Sequence, residues 1–170
     1  GLDGTSIRVV TSYRFLSQAG RVDIVSVLTN TSAAPLEDFG YSLVAGAGTR
    51  YAFTPYHRDA HPNLNFRVYP RPDHTLVWMN TTPAGQPPPK EILQPGESLE
   101  VRYAVFAESE TGPLLERLYR SAGERPITAT LKWEDYAGGL IEVIVRESVT
   151  NTVFYRSFLR DRDSIDVPLL

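Results

Sequence analysis

Apolar residues recur at every second position through most of this chain, and that period predicts β-strands nearly from end to end. Between Thr5 and Leu16, the apolar positions Ile7, Val9, Tyr13 and Phe15 alternate with Arg8, Ser12 and Arg14, the pattern of a half-buried strand. Gln18-Ala19-Gly20 supplies a turn, and Arg21–Thr29 returns as a second strand to make a hairpin. Its phase slips near Val25, which predicts burial on both faces or a bulge.

Asn30-Thr31-Ser32-Ala33-Ala34-Pro35 reads as a loop, because Asn and Ser bond locally to backbone and Pro lacks a donor. Phe39, Tyr41, Leu43 and Ala45 predict a third strand, ended by Gly46-Ala47-Gly48, and Tyr51 and Phe53 begin a fourth. Pro55–Asn63 has no period and reads as a long loop rich in ionisable side chains. Leu64, Phe66 and Val68 alternate up to Pro70-Arg71-Pro72. In the next strand Leu76 and Trp78 share one face and Val77 and Met79 the other, which predicts a strand covered on both sides.

Pro87-Pro88-Pro89 is expected to be extended and polyproline-like, a rigid bridge with Gln86 and Lys90 exposed on it. Pro95-Gly96 fits the centre of a type II turn, where proline fixes φ and glycine accepts a positive value. Beyond it Leu99, Val101, Tyr103 and Val105 alternate with Glu100, Arg102 and Ala104 in the clearest strand of the chain.

The period changes to helical between Thr111 and Ala122. Thr111 is placed to cap, Leu114, Leu115, Leu118 and Tyr119 form one apolar stripe, and Gly123 closes the helix. Strands resume at Ile127, Ala129, Leu131 and Trp133. Glu134–Gly139 is expected to be a hairpin loop leading to Ile141, Val143 and Val145. Val149–Leu159 reads as the last strand, followed by a polar, fraying tail at Asp161-Arg162-Asp163 from which Val167 and Leu170 are available to tuck back.

About ten short strands, one helix, no long repeat and no strand–helix alternation predict an all-β, mainly antiparallel, two-sheet β-sandwich, Ig-like or jelly-roll-like, with residues 1–170 forming one domain. Leu76, Leu99 and Val101, with the aromatic rings of Phe53, Phe66, Trp78, Tyr103 and Trp133, are assigned to its core.

Composition narrows the functional classes. The 170 residues are 42% hydrophobic and 22% charged, which is globular usage. A net charge of −3 provides no basic field for nucleic acid. Lys90 and Lys132 are the only lysines among 17 basic side chains. Cysteine is absent, which removes disulfides, thiolate chemistry and cysteine-bound metals. No stretch approaches the roughly 18 consecutive apolar residues of a membrane span. The opening Gly1-Leu2-Asp3-Gly4 reads as a trimmed end, so a leader or lipid anchor upstream and a periplasmic, secreted or surface location are expected.

Candidate chemistry centres on the loop holding His57, Asp59 and His61. With Asp59 between the two histidines, or His74 arriving from the next strand pair, two imidazoles and a carboxylate suit zinc or another divalent metal, although Pro55 and Pro62 disfavour the helix that would align them. Asp73 and His74 are adjacent, and in a strand they would point to opposite faces. Asp161, Asp163 and Asp166 have the acid count of a calcium loop but lack its Gly at the sharp bend and its closing Glu, and Arg160 and Arg162 offset their charge. Tyr56, Tyr69 and Tyr136 are expected to be exposed and able to stack on a ligand. Asn30-Thr31-Ser32 and Asn80-Thr81-Thr82 match the glycosylation sequon.

No serine elbow or convergent catalytic set accompanies these residues, and no cofactor is expected. The reading is a non-enzymatic β-sandwich module for protein–protein interaction or structural support, with another protein as its partner. The alternatives are a carbohydrate-binding module using the exposed aromatics and a metal-dependent enzyme centred on His57 and His61.

Overall fold

The computed structural model describes residues 7–37, 51–81, 92–135 and 137–170. The expected strand at Phe39–Ala45, the polyproline run with Gln86 and Lys90, and Tyr136 lie outside these. The described chain is mostly antiparallel β with one short α-helix, and its sheets do not close into a barrel, consistent with a β-sandwich. It divides into two compact units, Gly1–Gly46 with Asn80–Val105, and Ala47–Met79 with Phe106–Leu170.

In the first unit β1 (Ile7–Leu16) and β2 (Arg21–Asn30) form an antiparallel hairpin in one unbroken register from Ile7↔Asn30 to Leu16↔Arg21. A single 3₁₀ turn, Ser17–Ala19, joins them, and Gly20 takes the left-handed φ of 55° that closes it. No bulge interrupts β2. Its buried positions are Ile24, Ser26, Leu28 and Asn30, and the two polar residues on that face produce the apparent slip of phase. β5 (Ser98–Glu108) lies on the other side of β2, and Thr29 and Ser98 meet across the pair at 2.8 Å. The Pro95–Gly96 turn forms as its residue types dictate: Gly96 has φ 78°, and the Glu97 N–H donates to the Gln94 carbonyl at 3.0 Å.

Asn30 holds this unit's loops. Its side chain is fully buried, and its amide NH₂ donates to the Ala34 and Leu93 carbonyls at 2.9 and 2.8 Å. Its amide oxygen accepts from the Ser32 N–H and hydroxyl at 2.9 and 2.6 Å. An amide nitrogen engaged in this way is inaccessible to a glycosylating enzyme in the folded protein, so the first sequon is a structural asparagine.

In the second unit β3 (Phe66–Pro70) pairs antiparallel with β4 (Thr75–Asn80). The register sets Val77 against Val68 and Thr75 against Pro70, so the odd positions of β4 join the buried face of β3. Leu76 and Trp78, assigned to the core from sequence, are therefore half-buried, while Thr75 and Val77 are enclosed. Leu99, Val101 and Tyr103 are likewise half-buried; along β5 it is Ala104 and Phe106 that are enclosed. Phe53 and Phe66 are core as expected, and Trp133 is half-buried.

The helix α1 (Thr111–Ser121) forms where its stripe predicts, and Leu114, Leu115, Leu118 and Tyr119 are all buried. It packs against β8 (Val153–Arg160) and β9 (Ser164–Leu169). Thr111 does not cap; Glu110 occupies that position, and the Thr111 hydroxyl instead meets the Thr75 hydroxyl at 2.7 Å in the interior. Gly123, at φ 85°, ends the helix while the Glu124 N–H returns to the Tyr119 carbonyl at 3.0 Å.

The remaining strands correct the sequence reading. β6 (Ile127–Lys132) does not fold back onto β7 (Leu140–Arg146). It pairs with β9, from Ile127↔Leu169 to Lys132↔Ser164, while β7 pairs with β8. Gly138 and Gly139, at φ 89° and 108°, turn the chain toward Asp161 rather than closing a hairpin on β6. The Gly139 N–H donates to the Asp161 carboxylate at 2.9 Å, and its carbonyl accepts from the Asp161 N–H at 3.1 Å. The C-terminal segment is a strand rather than a frayed tail, with Ile165 and Val167 buried. Val149, expected inside the last strand, is 90% exposed at the turn of the β7–β8 hairpin.

Candidate functional site

The histidines do not converge. His61 accepts a turn of backbone onto His57, its N–H donating to the His57 carbonyl at 3.0 Å, but the two imidazoles serve different carboxylates. His57 Nε2 lies 3.6 Å from Glu147 Oε1, with its ring edge-on to Phe154 at 5.0 Å. His61 Nδ1 lies 3.2 Å from Glu124 Oε1. Asp59 is exposed beside them. His74 Nδ1 lies 2.8 Å from Asp73 Oδ1, a contact that strand geometry would forbid; the pair sits in the turn before β4, where alternation does not apply. Among the described residues no three carboxylates or imidazoles gather in a metal-binding group. Among the described residues each histidine is thus paired with a different carboxylate, an arrangement suited to surface pairing.

The tyrosines also separate. Tyr56, expected to be exposed, is buried: its hydroxyl accepts the Phe66 N–H at 2.8 Å and donates to the Phe66 carbonyl at 3.1 Å, and its ring packs edge-on to Phe66. That closed pair of bonds explains why a tyrosine in a polar loop turns inward. Tyr69 is half-buried. Tyr119 donates to the Pro55 carbonyl at 2.9 Å, fixing α1 to the loop.

A cavity of about 360 Å³ lies beside the start of α1, lined by Glu110, Gly112, Tyr155, Arg162 and Asp166 among others. Glu110 is clamped by Arg162 through two hydrogen bonds of 2.9 and 2.6 Å, and the Asp166 carboxylate accepts from Thr130 at 2.6 Å. The Tyr155 hydroxyl is buried beside the Gly112 backbone and Ser157 without closing a well-formed hydrogen bond. Apart from the Tyr155 hydroxyl, these polar groups have hydrogen-bond partners, and among the described residues here no nucleophile is paired with a base.

Burial raises the pKa of Tyr119 and Tyr155 well above the ordinary tyrosine range, helped for Tyr119 by the neighbouring Tyr56 and for Tyr155 by Glu110 and Asp166. It also raises Tyr56, against the opposing effects of its Phe66 backbone bond and Arg58. Below about pH 10 the folded and unfolded chains are both protonated at these rings; above it the unfolded chain loses the protons first. Stability is therefore expected to fall as pH rises beyond about 10. In an alkaline titration, part of the tyrosinate absorbance from the nine tyrosines should appear only together with loss of the folded circular dichroism. Complete ionisation of all nine before unfolding would contradict the burial of these three.

The outstanding surface is β1. Among the described residues it is the end strand of its sheet, hydrogen-bonded to β2 on one side, and its residues from Ile7 to Phe15 are all exposed. Alternation made it a strand, as its sequence requires, yet its apolar face is not buried. Ile7, Val9, Thr11, Tyr13 and Phe15 share the face of Asn30, Leu28, Ser26, Ile24 and Val22 on β2. Leu28 and Ile24 are 2% and 7% exposed, whereas Val9 and Tyr13 directly beside them are 52% and 62% exposed, and Phe15 is 76% exposed. Burial stops between the two strands.

The opposite face of β1 carries Arg8, Val10, Ser12 and Arg14, with Val10 also exposed. Of the facing carboxylates, Asp23 stands opposite Arg14 but is held by Arg21 at 2.5 Å. The shorter strand β6 is also exposed throughout, but it offers fewer large apolar side chains, Ile127 and Leu131. Sequence reading assigned β1 to a half-buried sheet and so missed this surface. Two arginines and no carboxylate along a ten-residue strand were the available signal.

Compared with protein-family models, with curated proteins and with solved structures, the chain finds no match.

Proposed function

We propose that this chain is a non-enzymatic β-sandwich module that binds another protein, receiving an extended segment of that partner along the outer edge of β1. The observation that carries this reading is the abrupt end of burial between β2 and β1, which leaves Ile7, Val9, Tyr13 and Phe15 in water as the continuation of an apolar face. An end strand presents a row of unpaired N–H and C=O groups, and long apolar edges are normally shielded because they invite pairing. Strand addition satisfies those groups and covers the side chains in one step, with main-chain bonds giving affinity and alternate side chains giving selectivity.

The test is selection from a library of displayed extended peptides, comparing the native protein with a Tyr13→Asp, Phe15→Asp variant. Both positions are exposed, so the variant is expected to melt like the native protein. Peptides with alternating apolar residues should be enriched on the native protein and lost from the variant. Enrichment that survives the substitutions, or no enrichment, would refute the reading.

A further inference from the structure

The polar face of β1 specifies the chemistry of the segment it receives. Resting on the strand-addition reading above, we infer that the partner strand carries two carboxylates six positions apart, placed to meet Arg8 and Arg14.

A strand added to β1 puts each of its residues opposite one residue of β1 and on the same face. Apolar partner residues therefore meet Ile7, Val9, Tyr13 and Phe15, and the intervening ones meet Arg8, Val10, Ser12 and Arg14. Arg8 and Arg14 differ by six positions, so both carboxylates fall on that one face. Both arginines are exposed residues. Arg8 stands opposite Thr29, which offers no charge, and Arg14 stands opposite Asp23, whose carboxylate is bound by Arg21. Across the hairpin this face holds Arg8, Arg14 and Arg21 against Asp23 alone, an excess of positive charge in a chain whose net charge is −3.

A second copy of the chain is a poorer occupant. Antiparallel self-pairing of β1 centred on Thr11 sets Arg8 of each copy against Arg14 of the other, and like charges directly opposite are destabilising. The same pairing lines up the apolar residues most fully, Ile7 with Phe15 and Val9 with Tyr13, so the charges oppose the register that burial favours.

The experiment uses peptides matching the ten residues of β1, with valine at alternate positions and glutamate, glutamine or lysine at the two positions facing Arg8 and Arg14. Binding is read by fluorescence anisotropy at low and high salt. The glutamate peptide should bind about tenfold more tightly than the glutamine peptide, as expected for two exposed charge pairs, and the margin should shrink with salt. An Arg8→Glu, Arg14→Glu variant should reverse the order and prefer the lysine peptide. Equal binding of the glutamate and glutamine peptides would overturn the charge inference and leave strand addition standing. Failure of every peptide to bind would overturn strand addition itself. A concentration-dependent dimer abolished by Phe15→Asp would assign the edge to a second copy and overturn both.

Discussion

Replacing Asn30 by aspartate is expected to destabilise the protein by several kcal/mol, far more than an isosteric change at a surface loop. The side chain is fully buried and its NH₂ group donates to two carbonyls, those of Ala34 and Leu93. A carboxylate in that place supplies no donors and directs negative charge at both carbonyl oxygens. The Leu93 carbonyl keeps the Leu36 N–H at 3.0 Å and the Ala34 carbonyl lies 2.7 Å from the Ser32 hydroxyl. The cost is therefore the two lost hydrogen bonds, about 1 kcal/mol each, plus the larger penalty of an uncompensated buried charge. Ser32 still donates to the remaining oxygen, so the loss falls on the attachment to Leu93. That attachment reinforces the Leu36–Leu93 bridge, whose two backbone bonds are both 3.0 Å. Denaturant unfolding should show a lower midpoint, and Asn30→Ala should lie between the native protein and the aspartate variant. A midpoint unchanged in the aspartate variant would remove Asn30 from its structural role.

Leu115→Ala is expected to cost about 2–5 kcal/mol, the range for deleting a large aliphatic side chain from a rigid interior. Leu115 has no exposed surface, and its neighbours on the stripe, Leu114, Leu118 and Tyr119, are equally enclosed. The region has little freedom to collapse into the space. Tyr119 is bound to the Pro55 carbonyl, and Gly112 approaches so closely that a Cβ there would stand 2.7 Å from the Asp166 backbone oxygen. The substitution improves helix propensity slightly, by less than about 1 kcal/mol, and so does not offset the cavity. A thermal melt shows the effect directly; a loss below about 1 kcal/mol would mean that α1 does not anchor its unit.

Local pattern was a good guide wherever a residue's own chemistry decides the outcome. The α1 stripe, Gly123 at its end, the Pro95–Gly96 turn and the β1–β2 hairpin all follow from spacing and from φ requirements. Partner choice between strands is different, because it depends on pairings distant in sequence. Ile127–Lys132 and Leu140–Arg146 read as a hairpin, yet each pairs elsewhere, and the glycines between them turn toward Asp161. The buried phase of β4 was hidden for the same reason: both of its faces are apolar, and only the register with Phe66, Val68 and Pro70 selects Val77 over Trp78.

The candidate sites were less legible. His57, His61 and His74 are close in sequence, but Glu147, Glu124 and Asp73 take one each. Tyr56 looked like a loop aromatic and is enclosed because Phe66 satisfies its hydroxyl twice. In β1 the alternation was read correctly and its burial was not. Period two reports that a face is apolar; whether the chain itself or another molecule covers that face is a tertiary fact.

Hydrogen–deuterium exchange across Ile7–Leu16, with and without the glutamate peptide, bears most directly on the proposed docking edge. In an end strand, successive amides alternate between those bonded to β2 and those pointing outward. Without peptide, the outward amides should exchange rapidly while their β2-bonded neighbours are slow. With peptide, the outward amides of β1 should slow by at least about tenfold, with little change in α1 or β6. Protection that appears elsewhere while the outward amides of β1 stay fast would contradict docking on this edge.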